Sequence, residues 1–242
     1  MFRVLLDSKS HQALRHLGTE TIQYGERPGA GSWKGQRLTG FQSALLSRGY
    51  VLEINEVNSN ALNGAAVLII GGRAEIVSFS AEELAAISVF CQGGGGLLLM
   101  SNHDYFAAAQ NKVAEEMNLP IRFHDAWVPR EKQRLILNAE HQISADCKLG
   151  LDIRTSCTMT LMNCPEATVL ANNEDLDIGV FAVALEYEGE NCHRIVAMTS
   201  AGHIASDDDS HTDLWAAADN STWTLNIIDW LNRSSFYAGS IS

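Results

Sequence analysis

Short, near-continuous apolar runs alternate along this chain with stretches in which apolar residues recur every three or four positions. In the first half the runs are Arg3–Leu6, Tyr50–Ile54, Ala66–Ile70 and Gly96–Met100. The last two read Ala-Val-Leu-Ile-Ile and Gly-Leu-Leu-Leu-Met, without polar alternation, as strands covered on both faces do. Between the runs, Leu38, Phe41 and Leu45 fall at i, i+3 and i+7, with Gly49 as the stop signal. Ser80 and Glu83 have capping-box spacing and open a helix that shows Leu84, Ile87 and Cys91 on one face. Gly93–Gly96 ends that helix and leads into a strand, so it reads as a C-cap and tight turn. A phosphate loop has the opposite order, following a strand and opening a helix. A third helix is expected from about Asp104 to Asn118, with Phe106, Ala109, Val113 and Met117 inward and Pro120 just beyond.

Strand–helix alternation at this spacing predicts βαβ units and an α/β fold: a three-layer α/β/α sandwich with a mostly parallel central sheet. Arg3–Leu6 and Ala66–Ile70 are expected to be parallel neighbours. Residues 121–166 are less regular and read as an elaboration, with a hairpin as one form open to it. Thr168–Ala171, Ile178–Glu188 and His193–Met198 read as strands. The first suits an edge, and the other two suit an antiparallel pair turning at Gly189-Glu190-Asn191. A last helix runs from near Asp219 to Leu231, with Trp223, Ile227, Trp230 and Leu231 on one face. No linker-like composition divides the chain, so residues 1–242 read as one domain.

Composition narrows the partners. The 17 basic and 29 acidic residues leave a net charge of −12, a field that repels nucleic acid and anionic membrane. No apolar run approaches the roughly 18–20 residues that span a bilayer. Met1–Asp7 is too short and too soon charged for a signal peptide. The expectation is a soluble cytoplasmic protein that binds a small molecule, with a homodimer left open and neither nucleic acid nor membrane as partner. Five cysteines without a Cys-x-x-Cys pair argue for reduced, mostly buried thiols.

Four stretches carry a family resemblance: Val4-Leu5-Leu6-Asp7-Ser8-Lys9-Ser10-His11, Phe41 through Tyr50, Gly93 through His103, and Asp219-Asn220 through Leu225–Leu231. In this order they resemble uncharacterised bacterial members of the class I glutamine amidotransferase-like superfamily. The resemblance implies a flavodoxin-like fold and little about activity. Glutamine amidotransferases of this fold carry a Gly-x-Cys-x-Gly elbow, whose small residues accommodate a strained strand-to-helix turn. Here the elbow reads Leu99-Met100-Ser101-Asn102-His103, with no cysteine and no flanking glycine, so glutaminase activity is not expected. The uncharacterised relatives usually show Asp-His where this chain has Asn102-His103, and an acidic residue where it has Ser200.

In an open parallel sheet, ligands bind outside the carboxyl ends of the strands. Four segments are expected to converge there: Asp7 to His11, Gly71-Gly72-Arg73, Ser101 to Asp104 and Ser200 to His203. His103, His11 and Asp104 are the candidate catalytic residues, since a histidine near neutral pKa is suited to proton transfer. Asp7, Gly71, Gly72, Arg73, Ser101, Asn102 and His203 are the candidate substrate-binding residues. Arg73 suits a carboxylate, and the glycine pair could offer backbone N–H groups to an oxyanion. Against these stand plainer roles: Asp7 and Asp104 as helix caps, Ser101 as a turn or capping serine, the glycines as a turn, the histidines bonded to loop backbone. His103 and Asp104 with His11 or Asp7 lack a tight ligand spacing, so no metal is assigned, and no organic cofactor either.

Two functions fit these residues. One is a cofactor-independent enzyme acting by acid–base chemistry on a small polar or carboxylated metabolite. The other is a catalytically inactive amidotransferase-like domain serving as a ligand- or protein-binding module. Among the remaining motifs, Asp207–Asp213 lacks the glycine and terminal glutamate of a calcium loop and reads as solvated. The Gly-rich segment around Trp33 is a lid or a long connection. Trp127 and Trp215 are pocket or core candidates.

Overall fold

The computed structural model describes residues 1–10, 13, 36–102, 106–153, 155–175, 178–188, 193–204, 206–207 and 215–233. Its strands and helices, in chain order, are β1 (Phe2–Asp7), β2 (Gln36–Arg37), α1 (Thr39–Ser47), β3 (Tyr50–Asn55), α2 (Ser59–Leu62), β4 (Ala65–Ile70), α3 (Ala81–Gln92), β5 (Gly96–Met100) and α4 (Ala107–Glu116). There follow β6 (Ile121–Pro129), β7 (Leu135–Leu137), β8 (Thr155–Leu161), β9 (Ala167–Asn173), β10 (Val180–Glu186), β11 (Arg194–Met198), β12 (Ser206–Asp207) and α5 (Asn220–Asn232).

Eight strands form one sheet in the order β3-β1-β4-β5-β11-β10-β9-β7. The first five are mutually parallel, and Val4, Leu5 and Leu6 pair with Val67, Leu68 and Ile69, as the two apolar runs predict. The strand over Gly96–Met100 lies in the middle and is buried at every position. Its side chains alternate between two cores. Leu98 and Met100 meet Phe41 and Leu45 of α1 and Trp223, Ile227 and Leu231 of α5. Leu97 and Leu99 meet Ile87 and Cys91 of α3 and Ala109 and Val113 of α4. Helices therefore cover both faces, which is why β4 and β5 are apolar throughout instead of alternating. Among the described residues, no helix is long and apolar enough to cross a membrane.

The second half departs from the pattern-based expectation in two places. Thr168–Ala171 lies in β9, which is not an edge strand: β7 pairs outside it through Leu135↔Asn173 and Leu137↔Ala171. Three residues are too few to show a period, so the outer strand escapes a reading by periodicity. The elaboration is not a tight hairpin either. β6 and β8 pair antiparallel as a separate two-stranded sheet, and β7 leaves from between them to join the main sheet. The expected antiparallel pair of β10 and β11 is present, with Leu185 opposite Ile195; its turn at 189–191 lies outside the described residues.

Side-chain amides fix the elaboration to α5. Asn220 pairs with the backbone of Asp152, its amide oxygen accepting from the Asp152 N–H at 3.0 Å and its amide N–H donating to the Asp152 carbonyl at 2.7 Å. The Asn226 amide donates to the carbonyls of Ile143 and Ala145.

The glycine run has a role beyond capping. Gly94 takes φ +90° just past the end of α3, the conformation that favours glycine at C′. Gly96 is needed for contact instead: a Cβ there would lie 2.7 Å from both Cβ and the carbonyl oxygen of Leu231, so it sets how closely α5 approaches β5. Gly96→Ala should therefore destabilise the fold by about 1–3 kcal/mol through overpacking, read as a lower urea midpoint with an unchanged m-value. Gly64→Ala, at an exposed turn with open space but φ +72°, should cost about 1–2 kcal/mol through backbone conformation alone.

Candidate functional site

β1 ends in Asp7 and β4 is followed by Gly71-Gly72-Arg73, and the pairing of the two strands brings Asp7 and Arg73 together. Both side chains are fully buried. Arg73 donates from Nε and Nη2 to the two carboxylate oxygens of Asp7, at 3.0 and 2.7 Å. Its Nη1 and Nη2 also donate to Glu83, at 3.1 to 3.2 Å, and its guanidinium lies 3.8 Å over the Phe79 ring. Glu83 is in addition the capping-box residue of α3, accepting from the Ser80 N–H at 2.8 Å, and Lys9 reaches it at 3.1 Å.

Two cations and two carboxylates thus neutralise one another at the ends of β1 and β4 and the start of α3. Burial pushes the Asp7 carboxyl up, against the pull of Arg73. Burial acts the same way on Glu83, but bonds from Arg73, the Ser80 N–H and Lys9 outweigh it and hold its pKa below the usual value. By sequence Arg73 is a candidate anion hook and Asp7 a candidate cap or ligand. The structure gives both an internal role: the guanidinium fork is committed to Asp7 and Glu83 and is shut off from solvent.

The neighbouring glycines are also covered. Gly71 accepts at its carbonyl from the Gln110 side chain at 2.7 Å. A Cβ on Gly72 would sit 3.1 Å from the Phe106 ring, so glycine there admits the start of α4. The N-terminus of that helix has its own carboxylate, since Asp125 on β6 accepts from the Ala107 N–H at 3.2 Å. An acidic group at this end is favoured by the helix dipole.

Ser101 is fully buried, and its N–H donates to the Met198 carbonyl at 2.9 Å. Its hydroxyl lies against the Cys157 thiol of β8 and makes a long 3.4 Å bond to the Asn102 carbonyl. No histidine among the described residues bonds to it. Cys157 is itself buried, with its thiol pushed up to about 12 by burial, as is Cys91. Asn102 is half-buried.

After β11, Ser200 and His203 are buried, the latter in a short 3-10 turn over Gly202–Ile204. His203 packs edge-to-face on Trp223 of α5 with ring centroids 6.3 Å apart. Burial drives its pKa down to about 4, so the ring is neutral at physiological pH. The Ser200 backbone opposes that shift but falls short of hydrogen-bonding geometry with either ring nitrogen.

His11, His103 and Asp104 lie outside the described residues, as do the Gly-rich segment around Trp33, most of the Asp207–Asp213 loop, and Cys192. Trp127 is 60% exposed on β6, and Trp215 is in the core against Phe41 at 5.4 Å. Among the described residues, no three His, Cys, Asp or Glu side chains gather as a metal site. Sequence reasoning does not single out Glu83, Asp125, Cys157 or Trp223 for this edge. Capping-box spacing marks Glu83 as a helix cap but is silent on its buried partner, and Asp125 and Cys157 arise in the irregular segment.

No protein-family model matches the chain, and no curated protein matches it in sequence. Solved structures match nearly its whole length. The N-terminal domain of mmIFT52 aligns with a TM-score of 0.67 at 17% identity, over 99% of each chain. A cytoplasmic protein from Salmonella typhimurium aligns at 0.63 and 12%, over 96% of this chain and 99% of its own. A GMP synthase-type protein from Thermoplasma acidophilum aligns at 0.52 and 12%, over 97% and 96%. The likeness is one of fold. It relates this chain to the class I glutamine amidotransferase fold and carries no activity across.

These roles have measurable consequences. Arg73→Met leaves the buried Asp7 carboxylate without its cation and Glu83 with Lys9 alone, and should lower stability by about 3–5 kcal/mol in denaturant titration. Lys9→Met, at the half-exposed end of the same network, should cost under about 1 kcal/mol. In native protein at pH 8, Cys91 and Cys157 should resist a soluble disulfide reagent and react fully only after unfolding, as thiols held near 12 supply almost no thiolate.

Proposed function

We propose that this chain is a catalytically inactive amidotransferase-like domain that serves as a binding module, taking a small-molecule ligand at the carboxyl edge of its sheet. In this reading residues 1–242 form one domain with a three-layer, flavodoxin-like architecture, elaborated over 121–166, and the chain descends from an amidotransferase-type ancestor without its cysteine. The neighbour from Salmonella typhimurium is named as a cytoplasmic protein, and the same location is proposed here. The net charge of −12 disfavours nucleic acid and anionic membrane as partners.

The observation that carries the reading is the state of the elbow. Its Ser101 is buried without a histidine bonded to it among the described residues, and the helix beyond starts under the carboxylate of Asp125. Acyl transfer needs an exposed nucleophile, a base and free donors for an oxyanion. Here the nucleophile's position is closed, and a carboxylate already occupies an N-terminal donor of the helix.

A second reading keeps an enzyme: acid–base catalysis without metal or organic cofactor on a small polar or carboxylated metabolite, through His103, His11 and Asp104. It draws on one structural fact, that β1 and β5 flank β4 in parallel, so the chain leaves both strands at the same sheet edge. A thermal-shift screen of metabolites on the purified protein separates the readings from an inert scaffold, because a bound ligand raises the melting temperature. The module reading expects stabilising ligands that come back chemically unchanged, and no ammonia released from glutamine. Conversion of a stabilising ligand would favour the enzyme. In either case His103→Ala should abolish binding or turnover, while Ser101→Ala should cost about tenfold or less, some 1.4 kcal/mol. Loss of function in Ser101→Ala with His103→Ala intact would overturn the assignment.

A further inference from the structure

The loop between β7 and β8 is anchored at both ends and capped between them by a histidine. Asn138 is held to β9, its N–H donating to the Leu170 carbonyl at 2.8 Å, and Asp152 is paired with Asn220. Between these anchors a short 3-10 turn over Gln142–Ser144 packs on α5, with Ile143 fully buried. The Asn226 amide holds this turn by two carbonyls, at 3.1 Å from Ile143 and 2.9 Å from Ala145. His141 is the N-cap. Its Nδ1 accepts from the Ile143 N–H at 3.2 Å, and its ring stands edge-to-face on Trp230 with centroids 5.6 Å apart.

A backbone N–H can only donate, so this bond settles the tautomer: Nδ1 is bare and the ring is neutral. Imidazolium carries a proton on both nitrogens. Acid therefore turns the acceptor of the cap into a donor aimed at another donor. Serine or asparagine at a cap keeps its acceptor at every physiological pH, whereas histidine loses it close to neutrality.

The surroundings do little to compensate an imidazolium. Glu186 on β10 favours it, but that carboxylate already accepts from Arg194 Nε of β11 at 2.7 Å, and Arg194 itself opposes it. On α5, Trp230 also carries the Arg194 guanidinium 4.8 Å over its ring, and Asp229 is engaged by Arg48 and Tyr50. β7 and β9 have no titratable side chain, and Glu140 and Asp146 on the loop itself are exposed. Burial is the largest influence and holds the ring below the ordinary histidine value of 6.5. A base shifted in this direction stabilises the docked loop fully above about 6.5 and loses that stabilisation as the pH falls below it.

We propose that His141 is an acid-sensitive latch: on taking up a proton it uncaps the turn and releases residues 141–145 from α5, uncovering Ile143 and Trp230. The latch lies at the amino end of β11, at the opposite end of the sheet from the elbow, and does not depend on what the elbow binds.

NMR of the full chain from about pH 7.5 to about pH 5 tests this, reading the His141 ring, the Trp230 indole N–H and the hydrogen-exchange protection of the Ile143 amide, with the Leu98 amide of β5 as control. The ring should titrate below 6.5, and the Trp230 signal should move with the same midpoint. The Ile143 protection factor should fall as the pH drops, approaching tenfold per pH unit, while that of Leu98 holds. His141→Asn, which caps without titrating, should keep Ile143 protected across the range, and His141→Ala should lower its protection about fivefold even at the upper end. The titration of the unsubstituted chain decides the matter if either variant fails to fold. A His141 midpoint at or above 6.5, Ile143 protection indifferent to that titration, an equal loss at Leu98, or a pH response that persists in His141→Asn would each overturn the proposal.

Discussion

A guanidinium removed from water must be surrounded by acceptors, and the carboxyl end of this sheet is arranged around that need. Arg73 follows β4, Asp7 ends β1 and Glu83 opens α3, so one cation holds the start of the next helix and a strand end 66 residues away. The desolvation cost of such a group is several kcal/mol and is met only when every strong donor finds an acceptor. That condition fixes the end of β1 against the loop after β4 and aims the first turn of α3. Glu83 serves both the helix cap and the ion pair, so neither can shift without the other.

The same economy of internal pairing runs along the neighbouring strand ends. Gln110 takes the Gly71 carbonyl, Phe106 lies over Gly72, and Asp125 sits at the start of α4. Groups that a catalytic elbow would present to substrate are here used by the protein itself. Buried side-chain atoms without partners occur along this edge as well, among them Gln110 Oε1, Thr199 Oγ1 and the ring nitrogens of His203 and Trp223.

Much of the architecture was legible in the chain. Unbroken apolar runs mark β4 and β5 as strands buried on both faces, because a side chain of either parity meets a core, and the parallel pairing of β1 with β4 follows from the strand–helix alternation around them. The Ser80–Glu83 box and the Phe41–Leu45 spacing are local signals with local causes. β7 was not legible: three residues carry no period, so Thr168–Ala171 passed for an edge. The pairing of β6 with β8, separated by more than twenty residues, likewise leaves no mark within either strand.

The sequence alone determined the early strands, the longer helices with their apolar faces, and the lack of a cysteine at the elbow, since these depend on residue type and spacing within a few turns of chain. Only the tertiary structure decided what the polar residues do. Arg73 looks like an anion site from its glycine neighbours and becomes an internal cation because Asp7, 66 residues away, meets it first. A charged or hydrogen-bonding side chain takes its role from whichever partner reaches it when water is excluded, and that partner is set by the packing of distant elements.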